Sequence, residues 1–125
     1  MAGYIKNIEE ETLANDNFRK VLFTAPNSQL VVMCVKPTEN IGKEVHTVDQ
    51  FIRIEQGEGK AILNGEESEL HPDYAVVIPA GTEHNIINTG NSDLKLYTIY
   101  SPPEHPDGTI HKTKADAMAD ESDHR

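Results

Sequence analysis

The chain has 125 residues, of which 37% are hydrophobic, enough for one domain with a modest core that spans 1–125. Its formal net charge of -10 and pI near 4.9 argue against nucleic acid or an anionic membrane as partner. One cysteine, Cys34, excludes an internal disulfide. It stands in the apolar run L-V-V-M-C-V, which points to a buried, inert thiol.

The chain opens on M-A-G-Y-I-K-N-I-E-E-E, without the apolar core of a secretion signal, and no window approaches membrane-spanning length. A cytoplasmic location is expected. The acids Glu9, Glu10 and Glu11, like Asp116, Asp120, Glu121 and Asp123 near the other end, read as solvated chain ends.

Short β-rich segments then dominate. Leu30 to Val35 is continuously apolar, a buried strand. Gln50 to Gln56 alternates Phe51, Arg53 and Glu55 against Ile52 and Ile54, a period of two. Gly57-Glu58-Gly59 turns the chain and Lys60 to Leu63 returns it. Asn64-Gly65 predicts a two-residue hairpin turn, since both residues tolerate positive φ. Ala75 to Ile78 is a further strand, stopped at Pro79-Ala80-Gly81. His84 to Thr89 and Leu94 to Tyr100 follow, separated by G-N-S-D. Strands of this length and spacing predict an all-β sandwich or small barrel in about 29–100. The extension 101–125 begins with S-P-P-E-H-P-D-G-T-I-H-K, too rich in proline for strand or helix and placed to fold over the barrel mouth as a lid. The one helix expected is late: Thr113 would cap K-A-D-A-M-A-D-E, with Asp116 as its capping-box partner.

Chemistry concentrates between Gly42 and Gly59. Glu44 and His46 lie two apart and share a face of an extended strand, and Gln50 keeps that parity if no bulge intervenes. Asp49 and Glu55 have the opposite parity; Asp49 reads as a rim residue that only a bulge at Val48 would turn inward. His84 opens a later strand just after P-A-G-T-E. One carboxylate, two imidazoles and an amide oxygen form a mixed N/O set suited to one divalent transition metal such as Mn, Fe, Ni or Zn. The bland readings are an exposed strand-end acid for Glu44 and a hydrogen-bonded cavity residue for Gln50.

These residues also stand at the spacing of two known motifs. Counting back six residues from Gly57 reaches Gln50, three more reach His46, and Glu44 takes the place of a first histidine. Asp73, Pro79, Gly81, His84 and Asn88 keep every spacing of a second motif, with only its leading glycine replaced, by Asp73. On these grounds the chain resembles the cupin superfamily, in particular the small single-domain cupins related in name to mannose-6-phosphate isomerase. The resemblance implies a double-stranded β-helix (jelly-roll) barrel holding a metal inside, a small-molecule substrate and a homodimer. It departs from the family pattern in carrying its acid at Glu44 and an amide at the usual acid position, Gln50, which implies a more labile metal site.

Three function classes fit such a barrel. One is a metal-dependent enzyme, isomerase- or lyase-like, acting on an oxygen-rich metabolite such as a sugar or sugar derivative. The others are an Fe- or Mn-dependent dioxygenase and a non-catalytic small-ligand-binding barrel. No catalytic residue stands out; His105, in the proline-rich segment, and Tyr97 are weak candidates. Tyr97 and Tyr100 have opposite parities, so at most one of the two faces the cavity, and core or rim packing is the default reading. Arg53 and Lys36 are less probable contacts for an anionic substrate, Asn88 more naturally fixes a turn, and His71, His111 and His124 read as loop or tail residues.

Overall fold

The computed structural model describes residues 2–123. Two antiparallel sheets face each other. Strands β1 (Arg19–Thr24), β2 (Gln29–Val35), β3 (Asp49–Gln56), β6 (Ala75–Ile78), β8 (Leu94–Ser101) and β9 (Ile110–His111) form one sheet in the order β6-β3-β8-β2-β1-β9. Strands β4 (Gly59–Leu63), β5 (Glu66–Leu70) and β7 (His84–Asn88) form the other, in the order β5-β4-β7. The long jumps between neighbours make this a jelly-roll barrel, the expected fold class.

The register selects the core. Across β2, β8 and β3 the rows Val31–Thr98–Ile52 and Met33–Leu96–Ile54 face inward, all of them fully enclosed. The period of two seen in β3 is therefore the barrel's inside and outside. The next row out, Gln29–Tyr100–Gln50, is polar, and it marks the end of the barrel where the candidate site lies. Asn64 and Gly65 both take positive φ, as the hairpin between β4 and β5 requires. Gly57 has a stricter role: its φ is 95°, and a Cβ there would sit 2.7 Å from the Asp93 carbonyl oxygen.

Three elements depart from expectation. A helix, α1 (Ile8–Ala14), covers the outer face of β2, β3 and β8, where only an acidic chain end was expected. Asn7 caps it by accepting from the Glu10 amide at 3.0 Å, and Glu9, Glu10 and Glu11 fill its first turn, where the helix dipole favours acids. Strand β1 was not anticipated, nor was β9, which emerges from the proline-rich segment and pairs Arg19 with His111 and Lys20 with Ile110. That segment is thus partly sheet edge. The late helix, α2 (Lys114–Ala119), forms with the full Thr113/Asp116 capping box.

Candidate functional site

Two loops meet at the polar end of the barrel and are stitched by their backbones. Glu44 and His84 face each other in an isolated antiparallel bridge, each amide donating to the other's carbonyl at 2.9 Å. The Gly81 amide, at a φ of 85°, donates to the His46 carbonyl at 2.8 Å, and the Ala80 amide donates to Asp49 Oδ1 at 2.9 Å. Asp49 is thereby a rim residue that ties the two loops. The continuous strand assumed for residues 44 to 50 is not formed, because β3 begins only at Asp49. The stitches do instead what a strand would have done.

Glu44 Oε2 and His46 Nε2 are 2.6 Å apart, and the His46 ring packs edge-on against His84 at 4.9 Å and Tyr100 at 5.8 Å. His84 Nδ1 lies 2.9 Å from the Thr82 carbonyl oxygen. A carbonyl only accepts, so the proton sits on Nδ1 and Nε2 keeps its lone pair, the form that ligates a metal. Gln50 donates from Nε2 to Thr98 Oγ1 at 3.0 Å. Its Oε1 is buried with no hydrogen-bond partner, as is Nδ1 of His46. An enclosed amide oxygen without a donor is what a bound cation, or a ring N–H turned toward it, would satisfy.

The donors therefore fit a borderline divalent ion, with Glu44, His46 and His84 as the chemically suited set and Gln50 as ligand or as the acceptor that orients His46. Burial works to raise the Glu44 carboxyl, but the His46 ring against it, helped by Arg19 and His84, holds it below its ordinary value. Burial likewise works to lower His46, yet Glu44, and after it Glu104, hold it above the usual histidine value. Burial pushes the Tyr100 phenol far up, so it stays protonated near neutral pH.

Among the described residues, the three donors that approach one another within 4.8 Å are those of His111, Asp120 and Asp123, a spacing Glu44, His46 and His84 do not reach. A cation already sits at the closer trio, the Arg19 guanidinium. Arg19 Nη1, which can only donate, lies 3.2 Å from His111 Nδ1, so the ring proton is on Nε2, and Nε2 donates to Asp120 Oδ2 at 2.9 Å. Asp123 accepts from Arg19 at 3.3 Å and from His105 Nδ1 at 2.7 Å. The trio is part of an ion-pair network.

Two residues that sequence reasoning did not single out reach the site. Glu104 brings Oε2 to 4.0 Å from His46 Nε2. It is positioned by the buried Gln29 amide, which accepts from the Glu104 and His105 amides at 3.2 and 3.0 Å and donates to the His105 carbonyl at 2.7 Å. The signal available was its place straight after the last long strand, inside P-P-E-H. Arg19 is the second, a buried arginine on the unforeseen β1. Together with Ile41, Glu44, Ala117, Met118, Asp120 and Asp123 it lines a cavity of about 320 Å³.

The remaining candidates fall as follows. His105 is enclosed, its ring 5.1 Å from Tyr100, and is no exposed loop histidine. Tyr100 is the tyrosine that faces inward; Tyr97 packs beside Phe51 at 6.3 Å on the outer side of the sheet. Asn88 fixes a turn, donating to the Val35 and Ser92 carbonyls and accepting from Gly90. Arg53 pairs with Asp73 and Lys36 with Asp93 on the surface. His71 contacts Glu58 on a hairpin loop, and His111 is buried in the network above. His124 lies outside the described residues.

Comparison with known proteins agrees with this architecture. A model of the cupin domain family matches residues 31–100. The chain is 48% identical over 125 residues to YrkC, an uncharacterised protein of Bacillus subtilis, covering 94% of this chain and 67% of that one. It is 49% identical over 112 residues to an uncharacterised protein of Acanthamoeba polyphaga mimivirus, covering 86% of this chain and 70% of the relative. The crystal structure of BH2720 from Bacillus halodurans superposes with a TM-score of 0.92 at 47% identity, covering 94% of each chain. Among the described residues no helix is long and apolar enough to cross a membrane.

Proposed function

The chain belongs to the cupin domain family, and from that premise we propose a metal-binding small cupin that acts enzymatically on an oxygen-rich small molecule such as a sugar derivative. The observation that carries the reading is the enclosed Gln50 Oε1 with no donor, in the same barrel end as the Glu44–His46 pair and the His84 Nε2 lone pair.

Glu44, His46 and His84, with Gln50, are the residues that would hold the ion. A bound divalent ion polarises a hydroxyl or carbonyl oxygen of the substrate. The chain's own residues supply the rest. Tyr100, kept protonated by burial, walls the site as a neutral ring. Glu104 brings a second carboxylate to that end, its Oε2 4.0 Å from His46 Nε2, a placement suited to proton exchange with the ring. The backbone stitches at Glu44, His84 and Gly81 hold the donor loops at fixed separation.

Metal analysis of protein purified without added metal tests this. We expect about one divalent ion per chain, a loss of most of it in His46→Ala and in His84→Ala, and roughly 10- to 100-fold weaker binding in Gln50→Ala. Equal metal content in wild type and the His46→Ala/His84→Ala double variant would refute the site. Turnover that consumes dioxygen would move the protein from the isomerase-like class to the oxygenase class.

A further inference from the structure

The cavity beside the barrel end has a built-in cation. Arg19 is 4% exposed and lines that cavity together with Glu44. Its only carboxylate partner among the described residues is Asp123, delivered by the C-terminal tail, and the pairing is poor. One oxygen of Asp123 meets Nη1 at 3.3 Å, whereas a guanidinium and a carboxylate in fork geometry make two contacts near 2.8 Å. Arg19 Nε is enclosed and has no hydrogen-bond partner. The guanidinium is thus held in place with part of its donor set unused.

The tail that delivers Asp123 packs on the core through Ala117 and otherwise presents little apolar surface to it. Helix α2 contains no buried residue, and Met118, which lines the cavity, is 78% exposed. Among the described residues, the tail's enclosed ion pairs are those of Asp123 with Arg19, His105 and His111 and of Asp120 with His111. The other carboxylates on the wall, Glu44 and Asp120, are taken by His46 and His111. Replacing Asp123 with an incoming carboxylate would exchange one negative charge for another and leave the charge balance of the cavity unchanged.

We infer that the cavity is a binding site for a small molecule bearing a carboxylate, that Arg19 is its anchor, and that Asp123 occupies the anchor as an internal competitor. The inference deepens the metal-enzyme reading and rests on it for the direction of the ligand: carboxylate on Arg19, oxygens toward Glu44 and His46. The substrate class becomes hydroxy- or oxo-acids rather than neutral sugars.

Glycolate, a two-carbon hydroxy-acid, and glycolamide, its neutral counterpart, are suitable probes. Binding is measured by calorimetry on the full chain, with chelator and again with added Mn. Asp123→Asn should bind glycolate about tenfold more tightly than wild type, as expected if the competitor occupies the anchor about nine-tenths of the time. Glycolamide should bind neither protein, and Arg19→Gln should lose glycolate binding. Equal glycolate affinity in wild type and Asp123→Asn, or equal binding of glycolamide, would overturn the inference, and that comparison does not need the Arg19 variant to fold. Manganese uptake by Asp123→Asn should match wild type. Absence of Mn uptake in both, with the Asp123 effect intact, would sink the metal reading while leaving the carboxylate site standing.

Discussion

Thr38 and Asp73 hold φ values of 70° and 73°, a left-handed conformation that side chains with a Cβ adopt at a cost. Asp73 stands where the second motif has its leading glycine. Both positions hold a backbone shape that suits glycine. Asp73 meets Arg53 at 2.8 Å, but both side chains are exposed, so this pair returns little. Thr38→Gly should therefore stabilise the protein by about 0.5–1 kcal/mol, and Asp73→Gly should stay within about 1 kcal/mol of wild type, by urea denaturation. A loss above about 2 kcal/mol at Thr38 would contradict the strain. The Glu44–His46 pair yields a pH signature. His46 is raised, so its contribution is full below the ordinary histidine value near 6.5 and fades as pH climbs through the raised value. Glu44 is lowered, so its contribution is full above about 4.5 and fades as pH falls through the lowered value. In chelator-treated protein the Tm advantage of wild type over His46→Gln should be greatest near pH 5–6 and shrink toward pH 9. A constant gap would show that the pair is not coupled as described.

Helix α1 shows why an element can be silent in a sequence. The residue it buries completely is Thr12, while Leu13 stays 38% exposed, so no apolar stripe announces it. What holds it is polar: the Asn7 cap at one end and, at the other, Lys95, which donates to the Leu13 carbonyl at 2.7 Å and pairs with Asp16 at 3.1 Å. A cation at a helix C-terminus is favourable both for the dipole and for the unpaired carbonyls. Lys95→Met, which keeps most of the apolar stem, should cost about 1–2 kcal/mol and accelerate hydrogen exchange in α1 selectively. Unchanged exchange there would place the helix's support elsewhere. Strand β1 was silent for a related reason. Its first inward position is Arg19, whose burial depends on Asp123 and His111, about a hundred residues away.

At the scale of the molecule, the strands with period two and the turns with glycine were readable because their causes are local. The ligand candidates were readable from spacing, although the strand assumed to align them does not exist. What escaped notice was long-range: the ion-pair network, Glu104 on its Gln29 clamp, and the return of the chain to β1. That return has a consequence for life in a crowded solution. Strand β9 is two residues long, and it covers the start of β1, a strand of six, whose outer side would otherwise be the rim of the larger sheet. A short rim strand offers a second molecule little to pair with, whereas an uncovered long one is a template. Protein ending at Pro106 should therefore keep its barrel yet self-associate at concentrations where the full chain does not, as light scattering would reveal. The C-terminal return acts as a guard on solubility as well as a wall of the cavity.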